Sequence, residues 1–173
     1  MTFTFGGKEL PVTLIGRDIA FTDAKDAESF ANGIAERVEQ MLMLNFLPQL
    51  PPMAFFLTDH SVITISGLDG KKGDMSKLIL DAANEFGAEA IGFVCHGSIS
   101  EGDTKVEVIM TVVTWGEDTV SRVTVVTRDE MDKVTGVMRN DSIAAPESFM
   151  DMFAFNRKDE PKAVEPKVEG GSL

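Results

Sequence analysis

Cys95 and His96 form the one place in the chain where a thiol and an imidazole are neighbours. A cysteine nucleophile needs its base within hydrogen-bonding reach. Residues 90–95 are almost continuously apolar and read as a central strand, so the two side chains point to opposite faces and do not pair. Cys95 then reads as a small buried hydrophobe and His96 as a strand-end residue. His60 is the other imidazole of the chain, and nothing in the spacing brings it to Cys95.

Other chemistries are poorly supplied. No Gly-x-Ser-x-Gly elbow occurs. His96-Gly97-Ser98 gives one copy of a His-x-Ser/Thr motif, but His60-Ser61-Val62 lacks the hydroxyl that a second copy requires. Residues 67–74 (Gly-Leu-Asp-Gly-Lys-Lys-Gly-Asp) precede a helix and invite a phosphate reading. Their spacing is wrong for a P-loop, and Asp69 and Asp74 repel an anion, so a solvated loop with a helix cap is expected. Glu101, Asp103 and Glu107, and Asp129, Glu130 and Asp132, are the densest acidic clusters. Neither has the alternating ligands, turn glycine and distal Glu of a calcium loop. One Cys and two His cannot complete a four-ligand zinc site from those residue types. Neither a cofactor nor a metal is expected. An enzyme or ligand-binding domain would have to use Cys95, His60 or His96.

Surplus apolar side chains point elsewhere. The chain holds 10 Met and 12 Phe and no Tyr. Met41-Leu42-Met43-Leu44 and Phe149-Met150-Asp151-Met152-Phe153 each place apolar groups on more than one helical face. One face serves a core. A second, if exposed, is a contact surface, because Met adapts to varied neighbours. Met43, Leu44, Met150 and Phe155 are therefore the expected partner contacts, to another protein or to a second copy of the chain.

These residues must be carried by recognisable elements. Residues 9–16 read as a short strand. Ala27, Phe30, Ala31, Ile34, Ala35, Val38, Met41 and Leu42 recur at helical spacing, with Thr22 or Asp23 as the cap. Pro48, Pro51 and Pro52 stop that helix. Residues 53–58 and 61–66 read as a hairpin turning at Asp59-His60. Asp74 or Ser76 opens a second helix, closed by Gly87. A polar loop is expected over 97–103, and then a long Val- and Thr-rich hairpin over 104–115 and 119–128. Residues 134–138 add a short edge strand, and Pro146 opens a last helix. The expected fold is α+β: a mainly antiparallel sheet of about five or six strands, two helices on one face and a short C-terminal helix.

With 173 residues and 43% apolar content the chain suits one globular domain over 1–156 and a disordered charged tail over 157–173. Against 28 Asp+Glu stand 16 Lys+Arg, a formal charge of −12. Arg157, Lys158, Lys162 and Lys167 balance Asp159, Glu160, Glu165 and Glu169, so the acid excess belongs to residues 1–155. That field repels phosphate backbones and anionic lipids, which argues against direct nucleic-acid or membrane binding. The longest apolar stretch, 41–57, is broken by Asn45, Pro48, Gln49, Pro51 and Pro52. A lone Cys and a start without a basic-apolar leader suit a cytoplasmic setting. The function expected is a non-enzymatic acidic binding or structural protein, oligomeric, working through protein contacts. An acidic inhibitor that occupies a basic nucleic-acid site is a further alternative. The tail lacks apolar surface to offset its ordering entropy, so deleting Lys158 to Leu173 is expected to leave the melting temperature, read by calorimetry, unchanged.

Overall fold

A computed structural model describes residues 2–5, 7–69, 72–143 and 145–146 of the chain. Eight strands pair in the order β1-β2-β4-β3-β5-β6-β7-β8, and every neighbouring pair is antiparallel. They are β1 (Thr2–Phe5), β2 (Lys8–Gly16), β3 (Met53–Leu57), β4 (Ser61–Ser66), β5 (Ala90–Glu101), β6 (Thr104–Trp115), β7 (Asp118–Arg128) and β8 (Val134–Arg139). The helices are α1 (Arg17–Ala20), α2 (Ala27–Met43) and α3 (Lys72–Phe86).

The start of α2 is set by a reciprocal cap. The Asp26 carboxylate accepts from the Ser29 backbone N–H at 2.8 Å, and the Ser29 hydroxyl accepts from the Asp26 N–H at 3.0 Å. Thr22 and Asp23 therefore do not cap it. From there Ala27, Phe30, Ala31, Ile34, Ala35, Val38 and Leu42 form one buried stripe. That stripe packs on Phe55, Leu57, Ala90, Val94, Ile109, Val113 and Val126. Ile79, Ala82 and Ala83 of α3 pack with Ala54, Phe56, Ile65, Ile91, Phe93 and Val112. Strand side chains alternate between faces, so α2 and α3 cover opposite faces of the sheet.

Crossover handedness explains that placement. The segment holding α2 joins β2 to β3, which flank β4, and the segment holding α3 joins β4 to β5, which flank β3. Both connections link parallel strands two places apart and step the same way across the sheet. β2 and β4 run in opposite directions. Two crossovers of the same hand that start from opposed strands must pass over opposite faces, and the right-handed form is strongly preferred.

The expectation of five or six strands with two helices on one face is thus corrected to eight strands with the two long helices on opposite faces. Two local features of the sheet differ from expectation, an added strand and a longer one. The Thr-Phe-Thr-Phe start is β1, hairpinned to β2. The polar residues 97–101 are not a loop but the second half of β5, paired to β6 as far as Glu101 opposite Thr104. The expected C-terminal helix and the tail lie outside the described residues.

Gly92 of β5 lies directly against Ile34 of α2. A Cβ added there would collide with Cδ1 of the fully buried Ile34. Overpacking of this kind costs about 1–3 kcal/mol. Gly92→Ala is expected to lower stability in urea denaturation by that amount. Adding Ile34→Val, which deletes the colliding methyl, is expected to recover part of it in a double-mutant cycle.

Candidate functional site

The extension of β5 brings three residues together that the chain order keeps apart. His96 pairs with Ile109 and Ser98 with Glu107 across β5 and β6, and Val108 pairs with Val125 across β6 and β7. Alternation then puts His96, Glu107 and Arg128 on the face that carries α2. Glu107 accepts from Arg128 at 2.8 Å through each of its oxygens, a two-pronged ion pair. Its Oε2 lies 2.6 Å from Nε2 of His96.

The other nitrogen of that ring reaches the connection between α2 and β3. Nδ1 of His96 accepts the backbone N–H of Leu50 at 2.9 Å. A nitrogen that accepts carries no proton, so the ring proton sits on Nε2 and is donated to Glu107. Arg128 donates to the Pro48 carbonyl at 2.7 Å and to the Asp132 carbonyl at 2.9 Å. A buried histidine and a half-buried arginine thus tie residues 48–50 to the sheet.

Asn45 ties the near end of the same connection. Its side-chain oxygen accepts from the Val134 N–H at 2.8 Å, and its amide donates to the Val134 carbonyl at 3.1 Å. It holds a positive φ of 57°, a conformation that Asn tolerates better than most residues. Phe46 and Leu47 lie between these ties, and Met43 and Leu44 lie just before the first, at the end of α2; the four stand 81%, 45%, 44% and 60% exposed. The ties and the helix end hold the backbone that carries them. Met43 and Leu44, with Val137, also line an open groove of about 500 Å³, rimmed by Glu36, Glu39 and Gln40. Of the expected contact residues, Met43 and Leu44 are placed on this surface, and Met150 and Phe155 lie outside the described residues.

The residues considered for catalysis do not converge. Cys95 packs among the side chains on the α3 face, while His96 faces α2. Burial pushes the Cys95 thiol above its ordinary pKa, which disfavours the nucleophilic thiolate. His60 is exposed in the turn after β3, beside Arg17, Asp18 and Asp59. Leu57 pairs with Ala90, five residues before Cys95, so His60 and Cys95 are separated by about 16 Å of strand. Both nitrogens of His96 and both oxygens of Glu107 are engaged within the fold, which leaves the group without a free acid or base. Among the described residues no three His, Cys, Asp or Glu side chains are grouped to hold a metal ion. No described helix is long and apolar enough to cross a membrane.

Sequence reasoning missed Glu107, Arg128 and Asn45. Glu107 was visible only as part of an acidic cluster, and Arg128 only as a strand end. The signal lay in the register, which could not be fixed while 97–101 was read as a loop.

The Arg128 hydrogen bonds hold Glu107 below the usual carboxylate pKa; partial burial opposes them and the His96 N–H adds to them. A lowered folded pKa gives stability that is complete above the ordinary Glu value and is lost as pH falls through the folded value. Glu107→Gln is therefore expected to melt lower at neutral pH and to lose less on acidification than the wild type, as read by thermal denaturation across pH. Equal acid slopes would show that the carboxylate contributes nothing. No protein-family model, curated protein or solved structure matches the chain, so its function must be argued from this geometry.

Proposed function

We propose that the chain is a non-enzymatic, cytoplasmic binding or structural protein that assembles with a second copy of itself. The surface assigned to this contact is the tip of α2 together with the outer edge of β8. The observation that carries the reading is the tethered apolar run Met43, Leu44, Phe46 and Leu47. Exposed apolar side chains on a floppy loop lose much of their burial gain to ordering. Here the ordering cost is met on folding, by Asn45, Arg128 and His96.

The neighbouring strand argues for a like partner. Among the described residues β8 ends the sheet order, and it contains neither Pro nor Lys, two common devices against edge pairing. Its register irregularity is confined to Thr127 and Arg128 opposite its start. Beyond Val134, whose backbone Asn45 already holds, two such edges can pair antiparallel about a two-fold axis, a self-complementary contact. The groove of Met43, Leu44 and Val137 then faces its symmetry mate. Arg139 and Glu39 neutralise each other beside it at 3.1 Å, and Glu36 on the rim keeps one negative charge at the seam.

The acidic-inhibitor reading makes the opposite salt prediction. Two chains of charge −12 repel, and screening should strengthen their association. Docking on a basic partner should weaken with salt. Sedimentation across the micromolar range is expected to give twice the 18.8 kDa chain mass, more completely at high salt. Met43→Asp with Leu44→Asp is expected to give a single-chain mass with unchanged circular dichroism. A wild type that stays monomeric at every salt concentration would overturn the assignment.

A further inference from the structure

We propose that a second, smaller cavity on the α2 face binds a small carboxylate with an apolar body. Helix α2 lies mainly across β5, β6, β7 and β8, and covers the β2–β4–β3 part of the same face less fully. There the flank of α2 and the 47–51 connection wall a cavity of about 210 Å³. Its floor is Thr13 and Ile15 of β2, Met53 and Phe55 of β3 and Thr64 and Ser66 of β4. Arg37, Met41, Leu47 and Pro51 complete it.

One buried hydroxyl and one cation of this lining have no partner among the described residues. The Thr64 side-chain oxygen is buried and has no hydrogen-bond partner, and the residue is only 9% exposed. Such a hydroxyl is normally paired, because leaving it bare is unfavourable. Arg37 is the second. Arg17, Arg122, Arg128 and Arg139 each hold a carboxylate. Arg37 holds none among the described residues, although the chain has 28 acids. The lining contains no Asp or Glu, so Arg37 is its sole charge.

These features define the ligand by chemistry. An unpaired guanidinium at the wall selects a carboxylate, which its planar donors match. The Thr64 oxygen is shut off from solvent beneath the lining, and a rotation of its side chain toward the cavity gives it the acceptor it lacks. Ile15, Met41, Met53 and Phe55 offer an apolar bed for the rest of the molecule. A dry cavity of about 150 Å³ is enough for benzene, so the available space suits a body the size of a short fatty acid or a single aromatic ring. The site shares Leu47 with the proposed contact surface but does not depend on self-association.

The test uses the full chain with hexanoate and benzoate as probes and hexylamine as the control, read by amide and methyl NMR shifts and by melting temperature. Saturable shifts centred on Ile15, Met41 and Thr64 are expected with the acids and none with the amine. Arg37→Gln should weaken binding by about tenfold or more. Thr64→Val should also weaken it, and without ligand it should melt no lower than wild type, because it removes an unpaired hydroxyl. No shift with either acid, equal binding by the amine, or full affinity in Arg37→Gln would overturn the proposal. So would a large loss of stability in ligand-free Thr64→Val, which would mean that the hydroxyl already has a structural partner.

Discussion

The hydrogen bond from the Leu50 backbone to Nδ1 of His96 is the joint at which the sheet takes hold of the α2–β3 connection. Both partners are buried, so breaking the bond by removing the ring leaves an amide without an acceptor, at a cost of about 1–3 kcal/mol. The ring can accept only while its proton sits on the far nitrogen. Glu107 holds that proton in place, and Arg128 holds Glu107 ionised. Arg128 then reaches past the carboxylate to the Pro48 carbonyl, two residues from the start of the chain of bonds. The network closes on itself, which makes it a positioning device and leaves it without a group to spare for catalysis.

What it positions follows from topology. Two crossovers of one hand from opposed strands place α2 and α3 on opposite faces, so each helix must be amphipathic on a narrow stripe and neither covers its face fully. On the α2 side the helix lies across β5 to β8. Its C-terminal end therefore emerges at the β8 edge, where Asn45 pairs with both backbone groups of Val134 as a further strand would. Over the less fully covered part of the same face, at β2, β4 and β3, a cavity remains. The tethered surface and the cavity are two consequences of one incomplete layer.

Much of the local structure was legible in the chain. The β6–β7 hairpin announced itself by density of Val and Thr, and the stripe Phe30, Ile34, Val38 and Leu42 by period. Residues Met53 to Leu57, buried on both faces, read as a strand because nothing polar interrupts them. The parts that stayed hidden depend on partners distant in sequence. Gly97, Ser98 and Ser100 have no apolar side chain to declare them β, and only pairing with β6 makes them so. Thr2 to Phe5 alternates as a strand should, and Gly7 sits in the turn after it, but four residues are too few to stand out without β2. His96 was placed correctly on the face opposite Cys95. Its role was invisible because Glu107 and Arg128 meet it only through the register of three strands.

The protonation state of His96 tests this account most directly. Nitrogen-15 shifts of the imidazole, with the scalar coupling across the bond from the Leu50 amide, report which ring nitrogen carries hydrogen and which one accepts. The expected result is a proton on Nε2, an acceptor Nδ1 coupled to Leu50, and a Leu50 amide that exchanges slowly. A proton on Nδ1, or a ring protonated on both nitrogens, would mean that Leu50 is not held and that the connection carrying Met43 to Leu47 is not fixed by the sheet.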